Sequence, residues 1–149
     1  MTRILVDSSV WIDHLRGVGS RETLILRRLL RGLDPLAPPP AQGLAEVELW
    51  VGDLILLEVL RGIDDDRQHA RVRHLLLAFD QARLGGTSTA LAAVSHYRKL
   101  RRLGVTIHKA IDCLIAAWCI GENVALLHSD RGSVGVRSCV LAQVEKWLT

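Results

Sequence analysis

Several things are scarce in this chain. Among its 149 residues are 3 cysteines, 4 prolines, one methionine, one tyrosine and one phenylalanine, and aromatic residues make up 4% of the total. Cys113, Cys119 and Cys139 are odd in number and are not spaced as zinc ligands, and two of them fall in an apolar helical stretch. They read as free, buried thiols of a reducing compartment, which excludes a disulfide framework. No apolar run reaches the roughly 18 residues that a membrane span requires. Met-Thr-Arg leads straight into a strand-like run with no small-residue cleavage site behind it, so no signal peptide is expected and the cytoplasm is the expected compartment. Trp11, Trp50, Trp118 and Trp147 read as core or interface residues, and no aromatic platform for stacking bases is evident. Neither a Ser-His-Asp set nor an activated cysteine stands out.

What is present is a globular composition, 49% hydrophobic and 23% charged, long enough for one domain over residues 1–149 with a sizeable core. All four prolines fall in Asp34–Gly43 (DPLAPPPAQG), a loop with too little chain before it to separate two domains. Hydrophobic patterning predicts a buried strand over Arg3–Asp7 and a short helix to Leu15, capped by Ser8 or Ser9 and ended by Arg16-Gly17. A second helix is predicted over Arg21–Arg31, a strand over Val47–Val51, and a helix from Asp53 closed by Gly62. A charged amphipathic helix over Asp64–Asp80, with room for one break, and a short strand within Phe79–Leu84 follow. Thr87–Leu103 reads as a helix capped by Thr or Ser and stopped by Gly104. Lys109–Gly121 is apolar nearly all round and reads as a buried helix. Val124–His128 and Ser138–Leu141 read as strands, and Ala142–Leu148 as closing helical turns docked by Trp147. Short strands, apolar on both faces and alternating with helices, imply an α/β fold with a parallel sheet.

Four carboxylates sit awkwardly in this pattern. Glu58 lies inside LILLEVL and Asp112 inside AIDCLIAAW, where a charge is costly unless paired or bound to a metal. Asp7 and Asp130 each follow an apolar strand. Each has a plainer explanation. Glu58 has Arg61 at i+3, Asp112 falls in a first helical turn near Lys109, and Asp7 and Asp130 are turn residues. The parallel sheet connects them, because open α/β sheets bind ligands at the carboxyl ends of their strands. Asp7 and Asp130 are at that edge, and Glu58 and Asp112 are on helices that can face it. Four acids in one pocket repel one another unless a cation joins them, and oxygen-only ligands suit Mg2+ or Mn2+. Such a cluster is suited to phosphodiester hydrolysis.

The formal charge of +3 hints at a polyanionic partner. If a cation neutralises four of the 16 acids, 19 Lys and Arg side chains face 12 acids. Candidate phosphate contacts are Arg27, Arg28 and Arg31; Arg67, Arg71 and Arg73; and Arg98, Lys99, Arg101 and Arg102. For each group the plainer reading is a solvated helix face.

ILVDSSVWID, LILLEVLRG, AIDCLIAA and LLHSDRG, in this order and at these spacings, resemble the PIN domain and, more narrowly, the VapC-type toxins of toxin–antitoxin pairs. The resemblance covers nearly the whole chain. It implies an α/β/α sandwich with a short parallel sheet of four or five strands, and Mg2+- or Mn2+-dependent endoribonuclease activity. Asp7, Glu58, Asp112 and Asp130 match the family's acidic quartet, and Ser9 its supporting hydroxyl residue. His108, Lys109 and Arg131 are the matching candidates for contacts to RNA. The resemblance further implies a homodimer, a cognate VapB-type antitoxin whose tail fills a groove beside the acids, and tRNA or rRNA as substrate. The apolar stretches Val10–Leu15, Leu24–Leu30 and Leu54–Leu60 are the expected groove walls.

The chain departs from the family where Arg131 is followed by Gly132 and Ser133 rather than Asp-Phe, which leaves open whether one or two cations bind. It also has His108 where the toxins often carry arginine. A phosphatase with an aspartate nucleophile would carry a second Asp at position 9, and a phospho-receiver domain would carry paired early acids. The alternatives that stay open are a non-catalytic PIN-like module that binds RNA or protein and a housekeeping RNA-processing nuclease.

Overall fold

A computed structural model describes residues 2–33, 36, 47–104, 106 and 109–129. The sequence-derived strand at Ser138–Leu141, the closing helix with Trp147, Cys139, His108, Asp130 and Arg131 lie outside the described residues.

Strand β1 (Thr2–Val6) carries the fully buried Leu5 and Val6 and pairs in parallel on both sides. It meets β2 (Val47–Gly52) with Ile4 opposite Leu49, and β4 (Ala125–Leu127) with Ile4 opposite Ala125. A short β3 (Asp80–Ala82) adds to β2, giving the order β3-β2-β1-β4. Parallel neighbours need helical crossovers. Helices α1 (Ser8–Leu15) and α2 (Arg21–Gly32) join β1 to β2, and α3 (Asp53–Leu60) and α4 (Asp66–Leu77) join β2 to β3. Helices α5 (Thr87–Arg102) and α6 (Ala110–Glu122) bring the chain back across the sheet to β4.

Right-handed crossovers that run out in one direction and return in the other place α1–α4 on one face and α5–α6 on the opposite face. The packing agrees: α1 lies on α2 and α3, α3 on α4, and α5 on α6. This is the expected α/β/α arrangement, with four strands among the described residues. The core fills both interfaces. Leu49 and Val51 alternate along β2 with Trp50, so the two sets point to opposite faces. Fully buried Trp11 of α1 lies 5.9 Å from Phe79, and Trp50 meets Trp118 of α6 at 6.0 Å. Truncating a side chain like Trp11 ordinarily costs about 3–5 kcal/mol.

Several local expectations are corrected. Neither Ser8 nor Ser9 caps α1; the cap is Asp7, whose carboxylate accepts from Ser9 N–H. Helix α5 is preceded by Gly86 and has no side-chain cap, so Thr87 and Ser88 do not serve. Helix α4 is unbroken but shorter than its charge pattern, because Asp80 belongs to β3. Helix α6 ends not at Gly121 but beyond it, where Asn123 takes a left-handed conformation with φ 56°. Gly104, at φ +83°, stops α5 as expected, since only glycine adopts that backbone without strain. Leu26 is fully buried and belongs to the core rather than to a groove wall, whereas Leu24 and Leu57 are 55% and 60% exposed. Cys119 is buried as expected and Cys113 is only partly so. Burial pushes the Cys119 thiol up to about 12, which leaves it inert.

Gly52 ends β2 in a tight spot. A β-carbon there would run into Leu84 Cδ1 and stand 2.9 Å from its Cγ, and Leu84 is fully buried. The backbone at Gly52 is ordinary extended chain, so space alone requires glycine.

Candidate active site

The sheet order reverses between β1 and β4. The first strand sends the chain towards β2 and β3, and the last returns to its other side. Their carboxyl ends diverge into a crevice, the place where open α/β sheets hold ligands. The crevice is a cavity of about 510 Å3 lined by Asp7, Ser8, Ser9, Glu58, Lys109, Asp112, Arg61 and Ser129, with Ile12, Leu57 and Ile111 as apolar walls.

Each polar group arrives there for a local reason. Asp7 is the residue at which β1 stops. Its N–H donates to Leu127 O of β4 at 2.9 Å, and its side chain starts α1. Ser9 Oγ donates to Asp7 Oδ2 at 2.6 Å and accepts from Ser129 N–H at 3.4 Å, so one hydroxyl bridges the ends of β1 and β4. Buried Ser8 donates through Oγ to Glu58 Oε2 at 3.2 Å, which ties α1 to α3. Among the described residues Glu58 therefore takes Ser8 as its partner, and Arg61, the alternative, lies on the same cavity wall. Asp112 does fall in the first turn of α6, after Lys109.

The acids affect one another. Burial pushes the Asp112 carboxyl above the usual carboxylate range, the negative charge of Asp7 adds to the rise, and Glu58 contributes further. Lys109 and His128 counteract them. Three of the four sequence-derived acids thus share one cavity and one electrostatic field, although they lie 105 positions apart in the chain at the extremes (Asp7 to Asp112). Among the described residues no three His, Cys, Asp or Glu side chains stand close enough to form a closed ligand set. The available donors are oxygen-only, and the mutual repulsion felt at Asp112 is the situation a hard dication relieves. By chemistry the residues suit Mg2+ or Mn2+.

Sequence reasoning missed Ser8, Ser129 and Arg61. Ser8 and Ser129 had no signal, because serine is common at helix starts and after strands. Arg61 did have one, its spacing of three from Glu58, but it was read as an ion pair. Among the described residues no helix is long and apolar enough to cross a membrane.

Comparison with known proteins matches this architecture. The PIN domain model covers residues 4–134. A VapC ribonuclease of Mycobacterium bovis and ribonuclease VapC11 of Mycobacterium tuberculosis are each 30% identical over 127 residues, covering 85% of this chain and 86% of theirs. Similar solved structures include VapBC-1 from nontypeable Haemophilus influenzae, at a TM-score of 0.62 and 15% identity over 97% of this chain and 94% of that one. VapBC2 from Rickettsia felis, bound to a promoter DNA fragment, has a TM-score of 0.59 and 14% identity over 84% and 85%. A toxin–antitoxin complex from Klebsiella pneumoniae has a TM-score of 0.60 and 19% identity over 89% and 90%.

Proposed function

The chain belongs to the PIN domain family, on the branch of the VapC ribonucleases, and from that premise we propose that it is a metal-dependent endoribonuclease, the toxin of a toxin–antitoxin pair. The observation that carries this reading is the convergence of Asp7, Glu58 and Asp112, with Lys109 and Arg61, on one cavity at the switch point of the sheet. Asp130, two positions after His128 in the chain, is the fourth acid of the reading by its match to the family.

Asp7, Glu58 and Asp112 would have to close in to hold Mg2+ or Mn2+, which when bound would supply Lewis-acid polarisation of a phosphate and a water of lowered pKa. The chain's own groups do the rest. Ser9 fixes the Asp7 carboxylate by a short charge-assisted hydrogen bond, and Ser8 fixes Glu58. Lys109 and Arg61 offer positive charge to the non-bridging oxygens of a strand laid across the cavity. Burial and the negative charges of Asp7 and Glu58 raise the Asp112 carboxyl, and positive charge entering the cavity would draw it back down. None of these groups reads a base, which leaves the choice of RNA to surfaces outside the cavity.

A VapB-type antitoxin is the proposed partner, and a homodimer the proposed assembly. The relatives whose structures resemble this one are complexes of toxin with antitoxin. Exposed Leu57 beside Glu58, and exposed Leu24 on α2, are the apolar residues such a partner would cover.

The test is cleavage of RNA by purified protein with Mg2+. EDTA and Asp7→Asn are each expected to abolish cleavage, and induced expression is expected to arrest growth until the cognate antitoxin is co-expressed. Equal cleavage by wild type and Asp7→Asn would overturn the reading. RNA binding without any cleavage would favour a non-catalytic binding module.

A further inference from the structure

Helix α5 carries a second, basic cavity. It has a volume of about 390 Å3 and is lined by Tyr97, Arg98, Arg101 and Arg102 of α5. The three arginines are exposed and Tyr97 is partly buried. Arg98 stands at i+3 and i+4 from Arg101 and Arg102, so like charges share one helix face, which costs a few tenths of a kcal/mol per pair. An ordinary solvated face intersperses acids. Here the whole stretch from Gln81 to Ile111 contains no Asp or Glu, while it holds Arg83, Arg98, Lys99, Arg101, Arg102 and Lys109. The helix dipole accounts for some cationic charge in a last turn, but Arg98 lies a full turn before the end of α5.

Position decides between this cluster and the other two basic groups. In α2, Arg27 is committed to the fold, donating through Nε to His14 Nδ1 and through Nη2 to Val18 O, both at 3.3 Å. The arginines of α4 belong to the crossover to β3, the sheet edge farthest from β4, and Asp65 and Asp66 begin that helix. The α5 cluster is joined to the acids. Leu100 and Ala116 form a small core with Tyr97 and Cys113 packed on it, and Cys113 is the neighbour of Asp112. Only five residue steps link Gly104, at the end of α5, to Lys109, at the start of α6, so the two helices form an antiparallel hairpin. The end of α5 that carries the arginines therefore packs beside the start of α6, where Lys109 and Asp112 line the acid cavity.

The geometry points to an RNA-holding subsite. Arg98, Arg101 and Arg102 bind backbone phosphates of the same single strand whose scissile phosphate lies at Asp7, Glu58 and Asp112, with the Tyr97 ring available to one base. This inference rests on the nuclease reading of the acid cavity. It places the substrate's flanking nucleotides along α5 and makes strand length a determinant of affinity.

Binding separates this inference from the nuclease reading. Asp7→Asn protein, which retains RNA without cutting it, is titrated by fluorescence anisotropy with an unstructured RNA long enough to reach both cavities and with a trinucleotide too short to do so. With Arg98→Gln/Arg101→Gln/Arg102→Gln added, affinity for the long RNA is expected to fall at least about tenfold near 0.15 M salt. The slope of log K against log salt should drop by about 2, near 0.7 for each single-strand phosphate that is no longer neutralised. Trinucleotide affinity should not change. Tyr97→Leu should weaken the long RNA by about tenfold, and Tyr97→Phe should restore it. An unchanged slope, equal loss for both lengths, or loss of poly-glutamate binding with RNA binding intact would overturn the subsite, the last by assigning the surface to an acidic protein. Failure of wild type to cut any RNA would instead overturn the nuclease reading and leave the length dependence standing as its own result.

Discussion

Two aspartates follow two neighbouring strands, and they have opposite fates. Asp7 ends β1 and Asp53 follows β2, each at the start of a helix. The Asp53 carboxylate is used by the backbone: its Oδ1 accepts from Leu54 N–H at 2.8 Å and from Leu84 N–H at 3.1 Å, which staples the end of β2 to the chain leaving β3. Asp7 Oδ2 is held by Ser9, and the residue opens into a cavity shared with Glu58 and Asp112. Both follow an apolar strand, Asp7 as the cap of α1 and Asp53 as the first residue of α3. What differs is the neighbour: β2 lies inside the run β3-β2-β1, whereas β1 borders β4 across the reversal in strand order. Within the run the Asp53 carboxylate reaches the chain leaving β3, whereas at the reversal Asp7 lies on the cavity. A strand-end acid becomes available for chemistry where the sheet leaves it room.

The contrast can be tested from both sides. The largest effect is expected from Asp7→Asn, which keeps a good helix cap but changes the acid. RNA cleavage should fall about 1000-fold or more in a single-turnover assay, with the melting temperature nearly unchanged. Ser9→Ala keeps the acid and removes its anchor. The loss of a charge-assisted hydrogen bond, about 1.5–3 kcal/mol, should lower the cleavage rate by about ten- to a hundredfold. Asp53→Ala should do the reverse of Asp7→Asn, leaving cleavage at the wild-type rate while stability falls by about 1–2 kcal/mol in urea titration. A loss of activity without loss of stability at position 53 would break the comparison.

The smallest effect concerns Asp112. Because its carboxyl is raised in the folded protein, by burial first and by Asp7 next, the folded state binds its proton more tightly than the unfolded chain does. Its contribution to stability is therefore full below the unfolded carboxylate range and is lost as pH rises through the raised folded value. At neutral pH with EDTA present, Asp112→Asn should melt at a slightly higher temperature than wild type, and the gain should vanish in acid. Adding Mg2+ should stabilise the wild type and not the variant.

Part of this was legible before any fold was known. Asp7, Glu58 and Asp112 announced themselves because a charge inside or against an apolar run is expensive, and expense is visible in one dimension. The alternation of strands and helices is equally plain, since the central strands β1 and β2 are short apolar runs between helical stretches. Ser8, Ser129 and the Asp53 staple were not legible. Their roles depend on which strand lies beside which, and nothing in a serine after a strand encodes its neighbour. The same limit applies to the basic clusters: three look alike as sequence, and only packing shows that the one on α5 lies against α6, the helix of Asp112. Helix starts were misjudged for a related reason, since Asp7, Ser8 and Ser9 are all competent caps and the end of β1 selects among them.

The contact between Gly52 and Leu84 ties two positions far apart in the chain into one inheritable unit. A methyl group added at the first would press on the end of the buried leucine side chain and is accommodated best with a shorter side chain at the second, such as valine. Drift at this corner should therefore proceed in paired steps, and a homologue with alanine at the first site is expected to carry the smaller partner at the second.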